Sequence, residues 1–183
     1  MLVNADPLVS VIILNYNGEG YLANCLSSVL KTEYSNFEVI LVDNASTDSS
    51  IANALESFGS DPRLKLVRNT ANLGFSGGNN VGFTCSKGAF IVFLNNDTIV
   101  DSYWLKYLVE SLQNDETIGL AQSMILMING DKIQTAGWLF SDYLVLKHGL
   151  AENKTSSLKL QPVFEVSVAS GAATFYYNVT YSV

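Results

Sequence analysis

Soft metal ligands are almost absent from this sequence, whose 183 residues include one histidine, His148, and two cysteines, Cys25 and Cys85. The cysteines fall in separate helical patterns without a CxxC or a Cys/His cluster, so neither a zinc site nor a disulfide framework is supported and a reducing cytoplasm is the expected setting. Cations are sparse too. Ten Lys+Arg against 17 Asp+Glu give a net charge of −7, and the basic residues stand singly, whereas a nucleic-acid groove needs clustered cations to displace counterions. No nucleic-acid partner is expected. Long hydrophobic runs are also missing: Leu8–Leu14 and Ile118–Ile128 fall short of the roughly 20 residues of a membrane helix, and Gly119, Gln122 and Ser123 interrupt the second. No transmembrane segment is expected, and the amino-terminal Met-Leu-Val-Asn-Ala-Asp-Pro lacks the basic region of a secretory signal.

What is present suits a core. Apolar residues make up 48% and charged residues 15%, in a length typical of one domain of roughly 100–200 residues. Val9–Leu14 is a β-branched run ending in the turn-rich Asn15–Gly20 and reads as a buried strand. Leu22, Cys25, Leu26, Val29 and Leu30 then recur at helical spacing. Phe37–Asp43 is a second strand, and Asn44–Asp48 supplies capping hydroxyls and an acid for a helix with Ile51, Ala54, Leu55 and Phe58 on one face. Leu64–Arg68 is a third strand, Asn69–Asn80 a loop dense in Asn and Gly that opens a helix to about Lys87, and Ala89–Leu94 a fourth strand.

Strands alternating with helices predict an α/β fold, an open doubly wound, mostly parallel sheet, because parallel strands need crossovers and continuously apolar strands need both faces covered. Ligands then gather at the carboxyl ends of the strands. Beyond the helix Ser102–Asn114 the pattern changes to a mixed region. A strand around Leu120–Ile128, the turn Asn129-Gly130 and a return over Lys132–Trp138 predict a hairpin. Lys147–Lys159 is polar and expected to be a mobile loop, followed by the apolar Val163–Val168 and the small-residue step Ser170-Gly171-Ala172-Ala173.

Four polar groups fall at the carboxyl ends of predicted strands. In Leu94-Asn95-Asn96-Asp97-Thr98, Asp97 and, more weakly, Asn95 can supply the one or two protein oxygens needed by a hard cation carried on a diphosphate; an Asx turn into the next helix explains the same residues equally. Asp43 can accept a hydrogen bond from a base or a ribose, or simply cap the following helix. Asn15-Tyr16-Asn17 offers an aromatic face with amides for a base, or plain turn chemistry. Asn72–Asn80 combines glycines that let backbone approach a ligand with amides that can bind it.

Taken in order, Pro7–Asn17, Val42–Asp48, Asn72–Asn80 and Phe93–Thr98 resemble the successive motifs of nucleotide-diphospho-sugar glycosyltransferases of family 2, which have the GT-A fold. The resemblance runs from Leu8 to about Tyr177 and is strongest to the rhamnosyltransferase-like branch, where Leu-Asn-x-Asp-Thr replaces the metal-binding Asp-x-Asp. It implies a metal-dependent transfer of a sugar from a UDP- or dTDP-sugar to a hydroxyl acceptor such as a lipid-linked glycan, in surface glycan synthesis. It implies that Asn15, Tyr16, Asn17 and Asp43 hold the nucleoside, that Asn72, Gly74, Gly77, Gly78, Asn79 and Asn96 approach the nucleotide, and that Asp97 with Asn95 binds Mg2+ or Mn2+. Asn95 stands where the wider family has its first Asp. Trp138 and the segment Ser170, Gly171 and Ala172 correspond to the acceptor side. The family's general base, in a Glu-Asp pair, lies beyond Val183, which makes the chain a single domain over residues 1–183, truncated at its carboxyl end, with a nucleotide-binding half (8–100) and a partial acceptor half (101–183). Little transfer is expected of it, and self-association through Val163–Tyr177 is expected.

Two other readings compete. Gly18-Glu19-Gly20-Tyr21-Leu22-Ala23 has the GxGxxA form of a dinucleotide site, with Asp43 about where its ribose-binding acid belongs; however, Gly18 is set too far from the strand, and Glu19 would face a pyrophosphate. The other is a nucleotide-binding module without catalysis, favoured by Asn95 and the missing base. Of the remaining features, His148 reads as a solvated side chain and Trp104 as core. The sequons at Asn44, Asn96, Asn153 and Asn178 are expected to be unused, in keeping with a cytoplasmic protein, peripheral at the inner face of the membrane.

Overall fold

The computed structural model describes residues 6–115, 118–127, 132–135, 138–140, 146–148 and 173–177. Strands β1 (Val9–Asn15), β2 (Phe37–Asp43), β3 (Leu64–Arg68) and β4 (Phe90–Asn95) alternate with helices α1 (Leu22–Leu30), α2 (Ser50–Phe58) and α3 (Gly74–Cys85), and α4 (Trp104–Asn114) follows. The short strands β5 (Leu120–Gln122), β6 (Ile125–Leu126), β7 (Ile133–Thr135), β8 (Trp138–Phe140), β9 (Leu146–His148) and β10 (Ala173–Tyr177) complete the described chain. The main sheet has the order β3-β2-β1-β4-β10-β5. Its first four strands are parallel, and β10 runs antiparallel to both β4 and β5.

Alternation along each strand serves two separate cores. Val11 and Ile13, Val39 and Leu41, and Val92 and Leu94 pack with the apolar stripes of α1, α2 and α4. Ile12, Ile40, Val42 and Ile91 point to the other face, where Val81 of α3 packs on them. Because side chains on a strand alternate between faces, a parallel sheet covered on both must be apolar at nearly every position, which accounts for the uninterrupted β1, β2 and β4 sequences. The chain moves from β1 outward to β3, then returns to place β4 on the other side of β1. That reversal opens a crevice at the carboxyl ends of β1 and β4.

Helix α3 begins at Gly74, so the expected loop Asn69–Asn80 is helical over its second half. Close packing explains why glycine is tolerated there. A Cβ on Gly82 would stand 2.4 Å from Ile12 Cγ2, and one on Gly78 would stand 2.3 Å from Leu14 Cδ1. The glycines let α3 lie directly on the sheet, and tertiary contact outweighs their poor helix propensity.

The carboxyl-terminal region corrects three expectations. The hairpin exists as the antiparallel pair β6–β7, with its Asn129-Gly130 turn outside the described residues, but β5 separates from it and joins the main sheet. Leu146–His148, partly within the expected mobile loop, is β9 and pairs with β8, His148 opposite Trp138. The last part of Val163–Tyr177, expected to drive self-association, is β10 and lies between β4 and β5, with neighbours on both sides. Val163–Val168, Ser170, Gly171 and Ala172 lie outside the described residues, as does most of Lys147–Lys159.

A buried polar cluster closes the opposite, amino-terminal end of the sheet. Ser10 Oγ donates to Glu38 Oε1 at 2.7 Å, the Lys87 and Gly88 backbone N–H groups donate to Glu38 Oε1 and Ser10 Oγ at 2.8 Å each, and Lys65 Nζ pairs with Glu38 Oε2. Burial alone would raise the Glu38 pKa, but the bonds from Lys65, Ser10 and Lys87 outweigh it and hold the carboxyl below its ordinary value.

Two outcomes follow. Gly82→Ala gains helix propensity but forces α3 off Ile12, and urea unfolding should show a net loss of about 1–3 kcal/mol, whereas Gly20→Ala, with nothing within 4 Å of the new Cβ, should stay within about 0.5 kcal/mol of wild type. A lowered folded pKa means that ionised Glu38 favours folding above its ordinary value of 4.5, and that this contribution is lost as pH falls through the folded value. Wild-type stability should therefore decline below pH 4.5 more steeply than that of Glu38→Gln, as measured by urea midpoints across the acid range.

Candidate functional site

A cavity of about 370 Å³ occupies the crevice at the carboxyl ends of β1 and β4. Tyr16 and Phe75 line it with aromatic rings, 49% and 56% exposed, and Asn44, Asn72, Asn95 and Asn96 add amides. Leu14 and Gly74 complete the wall, and Asp97 contributes a carboxylate. None of these lining residues is basic. Four chain segments thus converge: the end of β1, the residue after β2, the end of β4, and the turn leading into α3. Exposed rings can hold a flat apolar group between amide donors and acceptors, while the carboxylate can anchor a cation.

The expected site residues divide into those facing the cavity and those that build it. Tyr16, Asn72, Gly74, Asn95, Asn96 and Asp97 line it. Asn15, expected to touch the base, is fully buried; its amide accepts from Asn96 Nδ2 at 2.8 Å and donates to Ser50 Oγ at 2.9 Å and Ser46 Oγ at 3.1 Å. It supports the site from beneath. Asn17 sits in the left-handed region at φ 52° and accepts from the Thr47 N–H, tying the β1 and β2 ends together. Asp43 is buried, accepts from the Ser46 N–H at 2.9 Å and stands 3.8 Å from the Arg68 guanidinium. Gly77, Gly78 and Asn79 belong to α3 rather than to a free loop, and the Asn79 amide donates to the Phe75 carbonyl at 3.0 Å. Helical pairing and sheet contact take up their backbone and side chains, so they shape the wall through α3 and do not line the cavity. Trp138 is in β8, and Ser170, Gly171 and Ala172 are outside the described residues.

Asn44 and Phe75 are the cavity residues whose roles the sequence did not disclose. Asn44 is buried, donating to Asn72 Oδ1 at 2.8 Å and accepting from Asn69 Nδ2 and the Leu73 N–H at 3.0 Å each. It fastens the loop before α3 to the end of β2. Its neighbour Ala45 has φ 64°, a conformation costing a non-glycine residue about 1–2 kcal/mol. Phe75 follows Gly74, whose φ of 71° suits glycine and aims the ring outward at the start of α3. Its signal was an exposed aromatic immediately after a turn glycine.

The segment Leu94–Thr98 is held from its backbone. Cys25 of α1 donates its thiol to the Asn95 carbonyl at 3.5 Å, and the Thr98 N–H closes on the same carbonyl at 3.3 Å. Burial pushes the Cys25 thiol up to about 12, so it stays protonated. Among the described residues, the side chains of Asn95 and Asp97 make no hydrogen bond or ion pair with the protein. No cluster of three His, Cys, Asp or Glu able to hold a metal occurs among the described residues. An amide and a carboxylate are hard oxygen donors suited to Mg2+ or Mn2+, in a set small enough to require oxygens from the ligand as well.

The Glycosyl transferase family 2 model matches residues 10–162, spanning both strand ends that form the cavity. The chain belongs to glycosyl transferase family 2. An uncharacterized glycosyltransferase of Haemophilus influenzae is 33% identical over 122 residues, 67% of this chain and 38% of that protein. The Escherichia coli UDP-Glc:alpha-D-GlcNAc-diphosphoundecaprenol beta-1,3-glucosyltransferase WfgD is 39% identical over 94 residues, 51% of this chain and 36% of that protein. Among solved structures, S. aureus TarS 1–349 in complex with UDP-GlcNAc matches with a TM-score of 0.59 and 27% identity, over 66% of this chain and 35% of that one. The mannosyltransferase PcManGT from Pyrobaculum calidifontis, at 20% identity, shares the fold over 93% of this chain and 44% of its own, with a TM-score of 0.65. This family 2 chain thus spans little more than a third of the length of these two curated relatives. The fold is the GT-A, Rossmann-like α/β sheet expected of it.

Membership displaces the dinucleotide reading of Gly18–Ala23, and the geometry explains the glycine. A Cβ on Gly18 would stand 2.3 Å from Asn15 Oδ1 and 2.5 Å from Asn96 Nδ2, so Gly18 is bare to cover a hydrogen bond rather than to admit a pyrophosphate. No described helix is long and apolar enough to cross a membrane.

Asn44→Ala leaves the Leu73 N–H and the Asn69 amide without their partner. Stability should fall by about 1–3 kcal/mol, and hydrogen exchange should show the Leu73 amide losing protection while the β1 amides keep theirs.

Proposed function

We propose that this chain is the donor-binding part of a transferase that moves a hexose or deoxyhexose from a UDP- or dTDP-sugar to a hydroxyl acceptor, with Mg2+ or Mn2+ on the diphosphate, in building a surface glycan at the cytoplasmic face of a membrane. The observation that carries it is the exposed Asp97 carboxylate, without a protein partner among the described residues, beside two exposed aromatic rings in one cavity. The rings of Tyr16 and Phe75 receive the base. The amides of Asn72 and Asn96 face the ribose and the diphosphate, and Asp43 keeps the β2 turn in place below. Asp97, with the neutral Asn95, holds the cation. When bound, that cation supplies charge neutralisation to the departing diphosphate.

The relatives support a nucleotide-sugar donor, since the Escherichia coli protein is named for UDP-Glc and a diphosphoundecaprenol acceptor and TarS was crystallised with UDP-GlcNAc. Leu94–Thr98 supports the rhamnosyltransferase-like branch. Residues 8–100 form the nucleotide-binding half of one domain over 1–183, and residues 101–183 the acceptor half, with Trp138 and Ser170–Ala172 on its acceptor side. Transfer also requires a base within hydrogen-bond reach of the acceptor hydroxyl. Among the described residues Asp97 is the only carboxylate lining the cavity, and it is committed to the cation, so none of them is assigned that role.

A thermal-shift and calorimetric panel of UDP, GDP and dTDP, with and without Mn2+, tests this reading. Wild type should bind UDP or dTDP more tightly with Mn2+, and Asp97→Ala should lose the metal-dependent increment while retaining metal-free binding. Equal metal dependence in both proteins removes Asp97 as the anchor. Indifference to every nucleoside diphosphate overturns the donor reading altogether.

A further inference from the structure

Three separate segments meet on one buried side chain. Both N–H groups of the Asn15 amide are used, by Ser46 and Ser50, and its Oδ1 accepts from Asn96. Ser50 Oγ donates in turn to Asp48 Oδ1. That bond fixes the direction of the whole run. A hydroxyl has one proton, and with it committed to the carboxylate, Ser50 can only accept from Asn15, which must then present its carbonyl to Asn96. The result is an oriented series in which Asn96 donates to Asn15, Asn15 to Ser50, and Ser50 to an anion, each bond polarising the next.

Both ends of the series are anchored. Asp48 also accepts from the Glu19 N–H at 2.9 Å and the Ser50 N–H at 3.1 Å. Although desolvation opposes it, this hydrogen bonding holds the Asp48 carboxyl below its ordinary value. At the other end, the Asn96 side chain is pinned beneath Gly18, and the bond from the Thr98 N–H to the Asn95 carbonyl closes the backbone around Asp97.

We propose that Asn15 is a positioning residue, setting the turn that carries Asp97 through its bond to Asn96, so that the place of the metal-binding carboxylate is governed by Ser50 and Asp48 outside the cavity. This rests on the assignment of Asp97 as cation anchor. Asn15 does not line the cavity, and it joins the nucleoside side of the site, through Ser46, to the cation side, through Asn96. An Asp at this position would keep an acceptor for Asn96 but lose both donors and bury a charge near Asp48.

The test compares Ser50→Ala and Asn15→Asp with Ser10→Ala, a variant at the opposite end of the sheet that loses buried hydrogen bonds of a similar kind. The readout is the ratio of UDP dissociation constants without and with Mn2+, determined by calorimetry. Loss of one buried hydrogen bond should reduce that ratio about five- to tenfold in Ser50→Ala and at least as much in Asn15→Asp, while Ser10→Ala lowers the Tm and leaves the ratio unchanged. Combined with Asn96→Ala, Ser50→Ala should add less than about twofold, because both interrupt one series. Ratios that move no further than in Ser10→Ala, or effects that multiply independently, overturn the proposal. A second readout needs no ligand: exchange of the Asn96 side-chain amide protons, followed by NMR, should be slow in wild type and faster in Ser50→Ala. If wild type shows no Mn2+ dependence, the assignment of Asp97 falls, and this exchange alone decides the positioning role; unchanged exchange overturns it.

Discussion

Burial of both faces of the parallel sheet is the constraint from which the rest of this molecule follows. With α1, α2 and α4 on one side and α3 on the other, the interiors of β1, β2 and β4 have almost no room for polar side chains. Polar chemistry is driven to the strand ends. At the amino-terminal end it becomes a closed structural cluster of Ser10, Glu38 and Lys65, satisfied within the protein. At the carboxyl-terminal end the strand order reverses at β1, and the diverging connections leave a cavity that protein groups do not fill. The same covered sheet therefore produces a sealed end and an open one.

The open end is built in two layers. Asn15 and Asp43 are buried and spend their hydrogen bonds on the protein, Asn44 is buried yet borders the cavity, and Tyr16, Phe75, Asn72 and Asp97 reach it. Strained backbone at Asn17 and Ala45 lies in the turns that follow β1 and β2, where surrounding hydrogen bonds can hold conformations that the chain alone disfavours. An asparagine suits the buried layer because one side chain both donates and accepts without bringing charge into a buried place.

Much of this was legible from the sequence. Apolar runs located β1, β2 and β4, and helical spacing located α1, α2 and α4, since local pattern and burial agree in those elements. The shape of the site was less legible because residue type does not say which way a strand-end side chain faces. Asn15 and Tyr16 are adjacent, yet alternation buries the first and exposes the second, and the partners that occupy Asn15 come from residues 46, 50 and 96. Helix α3 was obscured for a related reason. Its glycines read locally as a loop, and only the proximity of Leu14 and Ile12 makes the missing Cβ atoms an asset. Strand β10 has suitable β-forming residues, but its partners β4 and β5 lie far away in sequence, and nothing local specifies insertion between them.

The charge distribution in the cavity separates two contributions to binding that are usually entangled. Among the described residues, its lining offers aromatic faces, neutral amides and one carboxylate, with no basic side chain. A nucleoside meets favourable surfaces there regardless of ions. On the proposed reading a diphosphate would meet Asp97, and two like charges about 4 Å apart repel by about 4 kcal/mol at an effective dielectric near 20. A divalent cation held by Asp97 would replace that repulsion with attraction, so the same carboxylate would oppose the bare ligand and favour the metal-loaded one. The sign of its contribution therefore depends on the ion, whereas that of Tyr16 and Phe75 does not. On the proposed donor reading, discrimination between a nucleoside and its diphosphate would reside at the end of β4, and recognition of the base at the end of β1 and the start of α3. The buried Asn15 amide, bonded to Ser46 and Ser50 on one side and to Asn96 on the other, is the structural link between those two places.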